Sequence, residues 1–183
     1  MALIDIPNRV EDYMISHDGW TPPCFAVALD VVTGGNGVTY EEFDEHFSPA
    51  GGVNLFKQEK LLEACFSENV WLYSPSVVRS MAPLKIAEAN NRVAEEASQQ
   101  ILADTTRAML IISEPGGSSE TNHSRAITPV RPGTAIIWNS QNNPLIKVVG
   151  EPELKQVLLN CLDQPHSHLF AIGFKVLLQD LFL

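Results

Sequence analysis

Nine consecutive residues, Cys24 to Val32 (CFAVALDVV), carry a single charge and follow two prolines, Pro22 and Pro23. Proline is tolerated in the first turn of a helix, where its missing N–H would have no partner in any case. Gly34 and Gly35 then supply the left-handed stop that commonly ends one. The stretch therefore predicts a short helix that is apolar on nearly every side. Such a helix belongs inside a protein, so the rest of the chain has to cover it all round.

The neighbouring sequence offers the material for that cover. Pro7 opens an amphipathic helix running to about Ser16, with Asp5 as its cap, and His17 to Thr21 form a loop. Thr39 and Glu42 have the spacing of a capping box, which opens a helix to about Phe47. After the turn at residues 49–52, another helix is expected through about Ser67, then a short strand over Val70 to Tyr73. The longest helix is expected from Lys85 to about Ala103, with Glu88, Arg92, Glu95 and Glu96 on a solvated face. The pattern then changes. Ala108 to Ser113, His123 to Thr128 and Thr134 to Trp138 read as strands separated by Gly, Ser and Pro. Pro152 starts a helix to about Leu162, and His168 to Val176 reads as a last strand followed by a packed tail. Helices first and sheet second is an α+β arrangement.

With 183 residues, 45% of them hydrophobic, the chain is expected to fold as one unit with a sizeable core. Its 22 acidic residues against 12 basic ones give a net charge of -10. A surface of that sign repels phosphate backbones and anionic lipid, and no Lys/Arg cluster offers an exception, so neither nucleic acid nor membrane is an expected partner. Cys24, Cys65 and Cys161 are too few and too dispersed for a disulfide framework. The odd count, with an acidic N-terminus interrupted by Pro7 and so unlike a cleavable signal, points to a reducing, cytoplasmic compartment.

Cys24 is the residue with chemical promise. At the first turn of a helix, unsatisfied N–H groups and the helix dipole favour thiolate over thiol, which is expected to lower its pKa. A cysteine nucleophile also needs a base within reach and a group that orients the base. His123 starts a strand after a Gly/Ser loop, and Asn139 closes the strand that follows. Two antiparallel strands joined by the turn at 129–133 would set those two residues face to face. Taken singly, Cys24 reads equally well as a small core residue and His123 as a solvated loop histidine; the pairing with Asn139 shifts the balance.

These residues resemble the papain-like cysteine peptidase superfamily. Asp18-Gly19, four residues and then Cys24-Phe25-Ala26 look like that family's Gln-Gly, four residues, Cys-Trp-Ala. Asn122-His123 at a strand start, and Ile136-Ile137-Trp138-Asn139-Ser140 after it, look like the family's base-bearing strand and its Asn-Ser orienter. The resemblance implies a single papain-like domain over 1–183, helical over about 1–105 and sheet over about 106–183, with the nucleophile helix packed on an antiparallel sheet. It implies a two-lobed fold with the site between the lobes. It also implies a Cys24, His123, Asn139 triad that acts through a thioester acyl-enzyme on a protein or peptide substrate, with no cofactor. The layout after Asn139 also resembles the small deubiquitinating Josephin domains, and Asn139-Ser140-Gln141 resembles bacterial glutamine deamidase toxins.

The chain departs from the family at Asp18, which stands where the oxyanion-hole Gln is expected; an ionised carboxylate there would repel an oxyanion. The backbone N–H of Cys24 is the alternative donor. Trp20 and Gln141, with the loop at 116–121, are candidate cleft walls. Cys161, His166 and His168 lack any CxxC or HExxH companion, so no metal site is expected, and Cys65 reads as core. Two functions follow: a cysteine-dependent amide hydrolase (protease, deubiquitinase-like, deamidase or transglutaminase), or a non-catalytic module that binds another protein. A pathogen effector delivered to a host cell suits either.

Overall fold

The computed structural model describes residues 5–36, 39–47, 53–66, 70–74, 83–103, 107–115 and 122–174. Within them the chain forms α1 (Ile6–Ser16), α2 (Cys24–Val32), α3 (Tyr40–Phe47), α4 (Leu55–Phe66), β1 (Val70–Tyr73), α5 (Pro83–Leu102), β2 (Met109–Pro115), β3 (Asn122–Arg131), β4 (Thr134–Trp138), β5 (Ile146–Val149), α6 (Glu151–Leu162) and β6 (His168–Ile172). The loops expected to shape the cleft at 116–121, and the terminal strand and tail beyond residue 174, lie outside the described residues.

The architecture is α+β, six helices with one antiparallel sheet in the order β1-β6-β2-β3-β4-β5. Alternation along the strands divides the core into two layers. Ile111, Ala126, Trp138 and Phe170 face one side, with α1, α2 and α3. Leu110, Ile112, Ile127 and Ile137 face the other, with α5 and α6. Every residue of α2 after Cys24 is buried, as the run of apolar residues requires, and the helix lies along β3.

The one charge within α2, Asp30, is fully buried and ties its neighbours together. Arg9 of α1 reaches it at 2.7 Å and the Tyr40 hydroxyl of α3 donates to it at 2.9 Å. The Thr39–Glu42 box forms as expected: Thr39 N–H donates to Glu42 Oε2 at 3.1 Å, and Glu42 N–H to Thr39 Oγ1 at 3.2 Å.

Two expectations change. Strand β5 was not apparent: it is an edge strand, its first three residues exposed, and only pairing with β4 defines it. Cys65 is exposed: it shares the stripe of Gln58 and Leu62, seven and three residues before it, but burial stops short of the last turn of α4, where Glu63, Ala64 and Cys65 are all exposed. No helix of the described residues is long and apolar enough to cross a membrane.

Candidate active site

Helix α2 delivers Cys24, half-buried, to the start of β3. The first intrahelical hydrogen bond runs from Val27 N–H to Pro23 C=O, 3.2 Å. The N–H groups of Cys24 and Phe25 therefore have no helical acceptor, and both act on the sulfur to favour thiolate. From β3, the Ser124 N–H also donates to Cys24 Sγ at 3.2 Å. The thiol thus rests against the residue that follows His123.

His123 Nε2 lies 2.8 Å from Asn139 Oδ1. The same oxygen accepts the Gln141 N–H at 3.1 Å. A backbone N–H can only donate, so this atom is the amide oxygen and the imidazole nitrogen facing it carries the proton. The neutral ring then keeps its lone pair on Nδ1, which is buried and has no hydrogen-bond partner. An imidazole nitrogen is thus held unpaired in the interior, on the residue before the one whose N–H meets the thiol.

The strand register differs from the face-to-face expectation. Ala126 opposes Trp138 and Thr128 opposes Ile136, which sets Arg125, not His123, level with Asn139. His123 is the diagonal neighbour on the same face, a separation that a long side chain spans. Asn139 itself is fixed by its N–H, which donates to Leu145 C=O at 2.8 Å.

The electrostatics also correct the sequence reading. Burial pushes the Cys24 thiol above its ordinary value, outweighing the N–H groups of Ser124, Phe25 and Cys24 that pull the other way. Burial likewise lowers the His123 imidazole, against the opposing hydrogen bond that it donates to Asn139. Both shifts disfavour charge, on the thiol and on the imidazole alike. Helix-terminal N–H groups are legible in a sequence; the cover of surrounding atoms is not.

The remaining sequence candidates are more peripheral. Asp18 is exposed in the left-handed turn that ends α1, with φ of 52°, followed by Gly19 at 85°. Trp20 is 77% exposed. Gln141 contributes its backbone N–H to Asn139 while its residue faces solvent. Cys161 and His168 do not share a partner atom: the Cys161 Sγ contacts Ser113 C=O at 3.8 Å, with burial pushing its thiol up to about 12, whereas His168 Nε2 turns to Gln58 Oε1. Among the described residues no group of three or more His, Cys, Asp or Glu side chains could hold a metal.

A buried polar seam behind Cys24 was missed from sequence. Ser124 Oγ is 2.7 Å from Ser113 Oγ, Ser113 donates to Gln58 Oε1 at 3.2 Å, and His168 Nε2 lies 3.4 Å from the same oxygen. All four residues are buried. Gln58 is held in turn by donating to Val53 C=O at 2.7 Å. The seam anchors Ser124, and with it the N–H aimed at the sulfur. Four polar residues on β2, β3, β6 and α4 carry no shared spacing, so nothing in the sequence marks them as a group.

No protein-family model and no curated protein matches this chain. A crystal structure of the Pseudomonas avirulence protein AvrPphB aligns with it at a TM-score of 0.36 and 8% identity, covering 95% of this chain and 72% of that one. A likeness that small bears no weight. The chemistry rests on the residues themselves.

Proposed function

We propose that the protein is a cysteine-dependent amide hydrolase acting on a protein or peptide, with Cys24 as nucleophile, His123 as base and Asn139 as its orienter. The supporting observation is the unpaired, buried Nδ1 of an imidazole whose other nitrogen is bound to Asn139, beside the residue whose N–H contacts Cys24 Sγ. Because burial disfavours charge on both thiol and imidazole, the proton leaves sulfur as the carbonyl is attacked. His123 Nδ1 takes it, the C–S bond forms, and the charge develops on the carbonyl oxygen near the N–H groups of Cys24 and Phe25. Collapse breaks the C–N bond, Nδ1–H protonates the departing amine, and a thioester remains. Water then attacks that thioester by the same route reversed.

The test is mass spectrometry of the protein after reaction with an activated ester, with Cys24→Ala beside it. Acylation of residue 24 that disappears in a folded Cys24→Ala variant supports the proposal. Acylation unchanged by the substitution removes Cys24 from the mechanism.

A second reading, a non-catalytic module that binds another protein, is favoured by the upward push on the Cys24 thiol and by a carboxylate at Asp18. Iodoacetamide alkylation against pH separates the two, with exposed Cys65 as the internal reference. A His123→Ala change that leaves the Cys24 rate unaltered at every pH favours the binding module.

A further inference from the structure

A cavity of about 740 Å³ opens between α1 and the stretch that follows Asn139. One wall is α1, through Val10 and Met14, together with Thr21 from the loop that leads into α2. The other is the stretch after Asn139, through Gln141 and Leu145, and Glu11 stands among the lining residues. The lining is mainly apolar. Its second wall is continuous with the site, since Gln141 N–H and His123 Nε2 share Asn139 Oδ1.

That continuity fixes which half of a substrate the cavity meets. The acyl half stays on sulfur, whereas the amine half departs carrying the proton from imidazole, and so leaves on the imidazole side. The loop at 140–145 extends the imidazole side, because Asn139 is the group bound to the ring. We propose that this cavity binds the apolar residue on the leaving-group side of the scissile bond, so that the substrate is a peptide-type amide rather than a primary carboxamide. The inference rests on the hydrolase reading above. An ammonia leaving group is a single heavy atom and has no use for a cavity of side-chain scale. A leucine-like residue covers apolar surface there, and an acidic one meets Glu11 and a chain of net charge -10.

The reaction run backwards isolates this side of the site. The native protein is acetylated with p-nitrophenyl acetate: the Cys24 sulfur displaces p-nitrophenolate and forms an acetyl thioester, its proton passing to His123 and then to solvent. The thioester is offered, at equal free-base concentrations, leucinamide, glycinamide, the α-amide of aspartic acid, or ammonia. Each amine attacks the carbonyl, the C–S bond breaks, Nδ1 takes the amine proton and returns it to sulfur, and an acetylated amine is released. Cys24→Ala protein measures the share contributed by exposed Cys65. The ratio of acetylated amine to acetate should be about tenfold higher for leucinamide than for glycinamide, with ammonia and the aspartic acid amide lowest. Equal ratios across the four amines, with a normal burst, overturn the pocket assignment and leave the hydrolase reading standing. A burst no larger than that of Cys24→Ala overturns the nucleophile, and the pocket assignment with it.

Discussion

His168 makes the interior of this protein sensitive to acid, and the size of the effect follows from its surroundings. The ring is 2% exposed, packs edge-on with Phe170 at 5.5 Å between centroids, and meets the Gln58 amide oxygen at the end of the polar seam and a backbone group of His166, whose hydrogen bond opposes the burial only in part. Burial lowers its pKa from 6.5 to about 4. In the unfolded chain the same ring protonates near 6.5. Between these values the unfolded state binds a proton that the folded state refuses, so stability is full above pH 6.5 and falls as pH drops towards 4. Below about 4 both states are protonated and this loss levels off. The gap corresponds to about 3 kcal/mol, at roughly 1.4 kcal/mol per pH unit. Urea unfolding of the native protein and of His168→Gln, at several pH values from 7.5 to 4, isolates the contribution as the difference in pH dependence. His123, lowered in the same direction, remains in both proteins and cancels. The variant's curve should be flatter by about 3 kcal/mol across that window, whatever its stability at pH 7.5. Parallel curves for the two proteins would refute the account, because they would mean that the ring accepts its proton in place.

The buried ion pair gives a second expectation. Asp30→Ala leaves Arg9, 27% exposed, and the Tyr40 hydroxyl facing a vacated interior site. The loss should be about 3 kcal/mol, at the lower end for a broken buried pair because Arg9 retains some water; thermal or urea unfolding measures it, and a loss below about 1 kcal/mol would refute the anchoring role. At the candidate site, Asn139→Ala removes the acceptor that fixes the imidazole tautomer. Cys24 acylation by p-nitrophenyl acetate should slow by roughly tenfold to a hundredfold with the circular dichroism spectrum unchanged. An unaltered rate would show that Asn139 does not direct the ring.

The local rules of the chain were strong enough to place most elements. The apolar run after Pro22 and Pro23 had to become a covered helix, and Gly34 and Gly35, at φ of 68° and 85°, end it. The Thr39–Glu42 pair needed only neighbours four residues or fewer away. Strand β5 lacked such a signal: an edge strand with exposed side chains has no apolar alternation, and hydrogen bonding to β4 alone makes it a strand. The same divide runs through the site. Its Cys, His and Asn stood at helix and strand ends that the sequence marks, whereas Ser124, Ser113, Gln58 and His168 meet only because three strands and α4 converge.

By itself, the sequence determined an α+β chain with a cysteine at a helix start, a histidine at a strand start and an asparagine at the end of the next strand. Tertiary structure alone decided that the histidine reaches its asparagine diagonally, and that Nδ1 is left unpaired. It also decided that burial outweighs the N–H groups around the sulfur and pushes the Cys24 thiol up. Helix and strand signals arise between residues a few positions apart, but desolvation is imposed by every atom that folding brings near, and no short stretch of sequence contains that sum.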